Sequence, residues 1–452
     1  MKIVIVGCGK IGSAIIASLV KEGHDIVAVD RNQTFVNNIT NIYDVMGLCG
    51  NGADSDILRE AGVETAELFV AVTGSDELNM LSCFLARKLG AKNTIARIRD
   101  HEYNDQSLGF LKENLELSMA INPELLTAKE LFNILKFPSA VKIETFSRGN
   151  LEMIEFRLKP DSVLDGMTLM EMRDKHKAKV LVCYVQRDDE IFIPDGNFAL
   201  KSGDRIGLTA SQNELEKFFR SLGTFKKRAK NVMIMGGSRT ALYLAEMLTR
   251  IGSSVKIIEI NADVCEQLSD ALPEAVIIHG DGAQQELLLE EGIDSLDAFV
   301  ALTGMDEENI LISIFAASKN VPNVISKVNR DALDRMAQNL GLDCIVSPHK
   351  IIANVAMSFA RALQNSLGSN IETLYQLADG KAEALEFNVK SDSKVINIPL
   401  KALQLKQSIL IAGILRGQKT IIPAGDDMIL EGDNVIIIAA EHRLQDLDGI
   451  LA

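Results

Sequence analysis

Long apolar runs are scarce in this chain. The longest, such as IVIV at 3–6 and NVIIIAA at 434–440, are the size of strands, far below the roughly 20 residues a bilayer-spanning helix needs. Basic runs are equally rare. Lys and Arg number 47 against 62 Asp and Glu, a formal charge of −15, and the short KKRAK stretch at 226–230 reads as solvated linker at a domain junction. A nucleic-acid partner requires an extended basic face, which this sequence does not supply. The six cysteines, at 8, 49, 83, 183, 265 and 344, include no Cys-x-x-Cys pair. They read as small buried hydrophobes in a reducing compartment, with no zinc spacing among them. The six histidines, at 24, 101, 176, 279, 349 and 442, stand singly and read as surface or satisfied loop residues, so no metal site is expected. The start, MKIVIVGCG, is read as a core strand cut short by a glycine turn rather than as a signal peptide. The expected location is the cytosol.

What the chain does carry is a repeat. MKIVIVGCGKIG at 1–12 runs a short strand into Gly7, Gly9 and Gly12; NVMIMGGSRTA at 231–241 restates it with Gly236 for Gly7, Ser238 for Gly9 and Ala241 for Gly12. Glycines at this spacing supply a tight turn, close approach of backbone to a pyrophosphate, and a helix–strand contact. Asp30 at the end of VAVD is matched by Glu259 at the end of KIIE, and Gly50-Asn51-Gly52 by Gly280-Asp281-Gly282. FVAVTGSDELN at 69–79 returns as FVALTGMDEEN at 299–309, NTIARIR at 93–99 as NVISKVN at 323–329, and NPE at 122–124 as SPH at 347–349. A lone glycine fingerprint is weak, whereas the same landmarks in the same order twice are a strong signal. Because Cβ atoms at 238 and 241 are expected to project where a pyrophosphate would press on the backbone, the halves should be similar in structure and unequal in function.

Periodicity and punctuation predict strands at 3–6, 25–30, 45–49, 67–72, 93–98 and 117–121, with helices at 10–22, 32–40, 54–61 and 76–89. A last helix runs from Pro123 to about Phe137 and is stopped by Pro138, like a lever leading out of the domain. Near-continuous apolar strands alternating with helices mark a parallel sheet covered on both faces. From 139 the pattern shifts to short alternating strands around one helix near 169–176, and IPDGNFALKSGDRIGL at 193–208 parallels IPAGDDMILEGDNVII at 422–437. Asp195, Asp204, Asp426, Asp427 and Asp433 fall at tight turns, where Asp is favoured for local backbone hydrogen bonds. The fold class is α/β: two doubly wound, Rossmann-like parallel-sheet domains, each followed by a small α+β lobe. The boundaries are 1–138, 139–226, 230–368 and 369–452.

The first half has a candidate ligand crevice. Backbone amides from Gly7 through Cys8, Gly9, Lys10 and Ile11 to Gly12 open a helix whose N-terminus favours an anion such as phosphate. Asp30 should hold ribose hydroxyls and repel a 2′-phosphate, favouring NAD or ATP over NADP, while Arg31 weakens that discrimination. Asn51 is placed at the adenine edge, and Thr73, Gly74 and Ser75 at the point where the sheet order reverses. Arg97 and Arg99 stand two apart on one face of the fifth strand. They are open to three roles: a fork for a terminal phosphate, a contact to another subunit, or salt bridges to Asp100 and Glu102. Lys327 and Asn329 replace them in the second half and remove both forks. Asp76 and Glu77, in the first turn of a helix, are read as offsetting its macrodipole, with ligand contact as the alternative.

Taken together, GCGKIG, the acid closing strand two, TGSDELN, ARIR and the Gly-Asp turns of the lobes resemble the TrkA family of Trk-type potassium uptake proteins, over essentially the whole chain. The resemblance implies tandem RCK (KTN) regulatory domains, each with a TrkA-C lobe. It implies a non-enzymatic regulatory subunit that binds NAD(H) or ATP/ADP and attaches to the cytoplasmic face of the membrane through a potassium-translocating subunit of TrkH/TrkG type. The second half departs from the pattern at 238 and 241, though Glu259 and Asp281 could still hold an adenosine. Duplicated surfaces point to a closed homo-oligomer, a dimer or tetramer. The competing expectation is an NAD-dependent dehydrogenase, for which His101 and Tyr103 are the candidate acid–base residues.

Overall fold

Strand β1 (Lys2–Val6) is apolar along almost its whole length and buried from Ile3 to Val6, as a central parallel strand with helices on both faces must be. Around it wind α1 (Lys10–Lys21), β2 (Asp25–Asp30), α2 (Gln33–Ile42), β3 (Met46–Cys49), α3 (Ser55–Glu60), β4 (Leu68–Ala71), α4 (Asp76–Leu89), β5 (Thr94–Arg97), α5 (Asp105–Asn114), β6 (Met119–Ile121) and α6 (Pro123–Lys136). The strand order is β3-β2-β1-β4-β5-β6, all pairs parallel, so the order reverses between β1 and β4. One face of this sheet packs Val4, Val6, Phe69 and Ala71 against Met80, Cys83 and Ala86 of α4. Burial of each large aliphatic side chain contributes about 1.5–3 kcal/mol. Helix α4 starts where the Ser75 hydroxyl accepts from Leu78 N and ends at Gly90, whose φ of 124° suits glycine. The computed structural model describes residues 1–100, 103, 105–136, 142–146, 151–188, 190–224, 228–365, 371–417, 419–440, 444 and 446–452.

The first lobe follows as β7 (Lys142–Phe146), β8 (Leu151–Arg157), α7 (Leu169–His176), β9 (Leu181–Arg187), β10 (Glu190–Phe192), β11 (Arg205–Ala210) and α8 (Gln212–Ser221). Its sheet is antiparallel, ordered β10-β9-β11-β8-β7. The second wound domain repeats the first: β12 (Asn231–Met235), α9 (Arg239–Arg250), β13 (Ser254–Glu259), α10 (Ala262–Ala271), β14 (Val276–His279), α11 (Gln285–Glu290), β15 (Ala298–Ala301), α12 (Asp306–Ser318), β16 (Asn323–Lys327), α13 (Asp331–Asn339), β17 (Cys344–Val346) and α14 (Pro348–Asn365). Its order, β14-β13-β12-β15-β16-β17, is that of the first. The second lobe, β18 (Ile371–Leu377), β19 (Ala382–Asn388), β20 (Ile409–Arg416), β21 (Lys419–Ile421) and β22 (Asn434–Ala440), is ordered β18-β19-β22-β20-β21, the same pattern once each strand is matched to its counterpart.

By contacts the chain divides into two compact units. One joins Met1–Leu131 to Asn231–Ala360, and the other joins Phe132–Lys230 to Arg361–Ala452. Within the second unit the lobes share a core in which Phe146, Leu151, Met153, Cys183 and Tyr184 pack with Ala384, Ala412, Leu415, Ile436 and Ile438. Among the described residues no helix is long and apolar enough to cross a membrane.

Several expectations need correction. Helices α5 and α8 were not anticipated. Cys49 is exposed rather than buried. Phe137, Pro138, His101, Glu102 and His442 lie outside the described residues. Asp195, Asp204, Asp427 and Asp433 do bond backbone amides, but Asp426 pairs with Lys401 and an unforeseen arginine also holds each of Asp204 and Asp433. Arg187 grips buried Asp204 through two bonds of 2.8 Å, and Arg416 grips Asp433 through two of 2.9 Å.

Candidate functional site

The three glycines of the first turn do different work. Gly7 has φ 101°, and a Cβ there would lie 2.9 Å from the Val72–Thr73 backbone at the end of β4. A Cβ on Gly12 would lie 1.7 Å from Gly7 O, so Gly12 is what lets α1 sit on the turn. Gly9 has an ordinary φ of −68°, and its Cβ would meet no atom within 4 Å. It opens on space. Gly9 is the N-cap of α1 and provides no side-chain cap, so the first-turn amides of Lys10, Ile11 and Gly12 have no side-chain acceptor from that position. Lys10 is exposed and Ile11 half-buried, while the Cys8 thiol is buried, its pKa pushed up to about 12 by burial and then by the nearby Asp30 carboxylate.

Asp30 ends β2 beside this turn. Its Oδ2 accepts from Cys8 N at 2.7 Å and its Oδ1 from Asn32 N at 2.8 Å, which locks the carboxylate at the crevice rim. Arg31 is exposed next to it. Asn51 follows β3, where its Oδ1 accepts from Ala53 N at 3.2 Å. These residues line one edge of the sheet's carboxyl end, as the motif spacing required.

The loop from β4 to α4 forms the other wall. Its organiser is Asn79, fully buried in α4: Oδ1 accepts from Thr73 N at 2.8 Å and Thr73 Oγ1 at 2.7 Å, and Nδ2 donates to Arg97 O at 2.9 Å. The motif TGSDELN contained this residue and its repeat TGMDEEN keeps it as Asn309, a signal of position that does not by itself announce a bracing role. Arg97 is buried and donates to Thr73 O, and its Nε has no hydrogen-bond partner. Burial, with the Arg99 charge adding to it, lowers the Arg97 pKa from its ordinary value. Arg99 donates to Gly74 O at 2.9 Å and pairs with Asp76 at 3.7 Å and Glu124 at 3.9 Å. Of the expected partners, Glu102 lies outside the described residues and Asp100 pairs with Arg239 at 3.3 Å, while Arg99 leans back over the loop onto Asp76 and Glu124. Asp76 is also more than a dipole complement, since its Oδ2 accepts from Arg99 N and Asp100 N at 2.8 and 2.9 Å. Asn122 links this wall to α6. Its Oδ1 accepts from Leu125 N, and its Nδ2 reaches both Arg99 O and Tyr243 OH at 3.4 Å.

The second crevice copies the frame and alters the contents. Glu259 accepts from Gly237 N at 2.6 Å and Asn261 N at 2.8 Å, as Asp30 does in the first half. Asp281 Oδ1 accepts from Ala283 N at 2.9 Å, in the manner of Asn51 but with a charge. Asn309 repeats Asn79 against Thr303 and Lys327. Lys327, its pKa lowered by burial, donates to Leu302 O at 3.0 Å, and Asn329 bonds Asp306 at 3.0 Å. At the helix end, however, Ser238 Oγ accepts from Ala241 N at 3.4 Å. Ala241 occupies the position of Gly12, where a Cβ points into the turn itself rather than toward the crevice, which corrects the expectation for 241; Ser238 occupies the position of Gly9, where a Cβ opens on space. A cavity of about 540 Å³ lies beside this crevice, lined by Met305, Asp306, Asn329, Arg330 and His349 together with Lys10 of the first half.

Comparison with known sequences and structures agrees with this duplicated plan. The TrkA-N domain family matches residues 3–123 and 232–348, and the TrkA-C domain family matches 153–223 and 384–452. A Trk system potassium uptake protein TrkA homolog of Archaeoglobus fulgidus is 32% identical over 451 residues, spanning 100% of both chains. A second homolog, from Methanosarcina mazei, is 32% identical over 459 residues and covers 99% of each. Among solved structures, the GsuK channel bound to NAD is similar in fold, with a TM-score of 0.62 at 17% identity, covering 97% of this chain and 77% of that one.

Proposed function

Because the chain belongs to the TrkA family of potassium uptake proteins, we propose that it is a nucleotide-sensing regulatory subunit that gates potassium flux through a membrane partner and catalyses no reaction. The observation that carries this reading is the first-half crevice, where an uncapped helix N-terminus stands beside a carboxylate held by two backbone amides, which would meet the ribose of a nucleotide lying there. NAD(H) or ATP/ADP would lie with its phosphates over Gly9 and the amides of Lys10, Ile11 and Gly12, its ribose on Asp30 and its adenine near Asn51. The terminal phosphate or nicotinamide end would then meet Thr73 to Ser75, whose backbone the buried Arg97 holds from behind through Thr73 O. Affinity in the micromolar range corresponds to about −8 kcal/mol. In line with this reading, the groups flanking the crevice are committed to structure. Asp76 holds two backbone amides, and Arg99 is tied to Gly74, Asp76 and Glu124.

Asn122 supplies a route from ligand to helix, since it joins Arg99 O to the first turn of α6. Ligands that differ at the terminal phosphate or nicotinamide would favour different settings of that joint, and only such differential affinity can shift an equilibrium. A coupling of about 1–3 kcal/mol changes affinity roughly 5- to 150-fold. The subunit would act at the cytoplasmic face of the membrane as a dimer or tetramer. Potassium flux through the reconstituted partner complex, measured with ATP, ADP, NADH and NAD, tests the proposal. Wild-type protein should respond differently to the members of each pair and Gly9→Val protein should not. Equal flux under every ligand defeats it.

A further inference from the structure

His349, in the first turn of α14, and Lys10, in the first turn of α1, line the same cavity of about 540 Å³. The other charged groups around His349 are committed. From α12, Asp306 accepts from Asn329 Nδ2 and Arg330 N, each at 3.0 Å, and Glu307 pairs with Arg330, which stands between β16 and α13. Lys350, next to His349, pairs with Asp331 and Asp334 of α13 at 3.4 and 2.8 Å. On β16, Lys327 donates to Leu302 O, and His349 itself bonds Asn329 O. Lys10 is different. It is exposed, and among the described residues no carboxylate pairs with it. Burial lowers the pKa of both His349 and Lys327, and the Lys10 charge adds to the effect in each case, while Asp306 and Asp331 oppose it at His349.

Lys10 also belongs to the first crevice, since its main-chain amide is one of those that open α1. A lysine ammonium is a compact charge on a flexible four-carbon stem, so it can serve either place. Resting on the nucleotide reading of the first crevice, we infer that Lys10 is a cation shared between the ligand and the cavity, and that its transfer makes nucleotide binding proton-linked through His349. Without ligand, Lys10 stands beside His349 and opposes its protonation. A phosphate over α1 draws the ammonium away, and the imidazole takes up a proton from solvent. The sign follows from linkage: the liganded protein holds the proton on His349 more readily, so nucleotide binds more tightly as pH falls below 6.5. At higher pH the imidazole is neutral in both states and the effect is absent. The reverse arrangement is built differently, because Arg239, at the position of Lys10 in α9, pairs with Asp100 at 3.3 Å, and Glu124 stands where His349 does.

Calorimetric titration of the full-length chain with NAD tests this, because the groups of NAD itself titrate well below the range concerned. Run at about pH 7.5 and about pH 6, each in two buffers of different ionisation enthalpy, it counts the protons taken up on binding. Wild-type protein should take up a measurable fraction of a proton per NAD at the lower pH and none at the higher. Its affinity should rise by up to about tenfold, the factor that one pKa unit carries. His349→Gln should match wild type at the higher pH and take up no proton at either. Lys10→Gln keeps the main-chain amide and should bind more weakly, again without uptake; Lys10 is exposed, so this variant folds whatever His349 contributes to stability. No uptake by wild-type protein, or uptake that persists in either variant, would overturn the inference while leaving the first-half site standing. No binding of NAD by wild-type protein at either pH would remove the nucleotide reading itself.

Discussion

A single buried amide braces each crevice. Asn79 satisfies Thr73 N and Arg97 O, which otherwise have no side-chain partner in that wall, and Asn309 does the same for Thr303 N and Lys327 O. Leaving a buried polar group unpaired costs about 1–3 kcal/mol, so Asn79→Ala should lose about 3 kcal/mol of stability, seen as a lower urea midpoint. A loss below measurement would show that the loop closes without it. Asp30→Asn keeps one acceptor for the turn but removes the charge, and should weaken NAD binding about 10- to 100-fold with little change in Tm; unchanged affinity would mean the ribose lies elsewhere. The glycines and Asp30 were legible because their chemistry is written in spacing. Asn79 and the burial of Arg97 were not, since arginine is ordinarily exposed and a helical asparagine ordinarily solvated.

At the scale of elements, alternation of apolar strands with helices made the winding readable, and the predicted strand and helix bounds fall within a few residues of those observed. Helix α5 escaped because DQSLGFLKEN is polar and carries a mid-helix glycine, a poor helix former. Helix α8 offered Leu215, Phe218 and Phe219 at helical spacing, all buried in the lobe core, but it follows a strand in a segment read as ending there. The arginine clamps of the lobes were hidden because Arg187 and Asp204 are joined only by folding. Removing one partner of a buried pair costs about 3–5 kcal/mol. Arg187 is partly exposed, so Asp204→Ala should fall near the lower end, about 3 kcal/mol by denaturant titration. The first turn of α14 should be acid-sensitive. Burial lowers the pKa of His349 below its ordinary 6.5, with Lys10 pulling the same way and Asn329 O, Asp306 and Asp331 opposing. The unfolded chain then binds the proton more readily than the folded one, so this contribution is intact above pH 6.5 and is lost as pH falls through the folded value. Urea midpoints in a pH series should decline less steeply for His349→Gln than for wild type; parallel curves would exclude His349 as the cause.

At the scale of the whole molecule, the sequence showed that lobes alternate with wound domains but not that like packs with like. The grouping of 1–131 with 231–360, and of 132–230 with 361–452, depends on contacts far apart in the chain, where no local pattern reports. The shared lobe core makes the first half incomplete alone. A protein ending at residue 224 would expose Phe146, Leu151, Met153 and Tyr184, which the second lobe otherwise covers. It should self-associate in sedimentation experiments at concentrations where the full chain shows its native state, and a strictly monomeric fragment would contradict the role of that core.

The same shared core has a consequence for a protein present in few copies. Two separate subunits meeting through such a face would come apart on dilution, their pairing fixed by mass action. Here both faces belong to one polypeptide, so each encounters the other at an effective concentration set by the intervening chain rather than by the number of molecules. However few molecules a cell makes, no chain waits for a partner lobe.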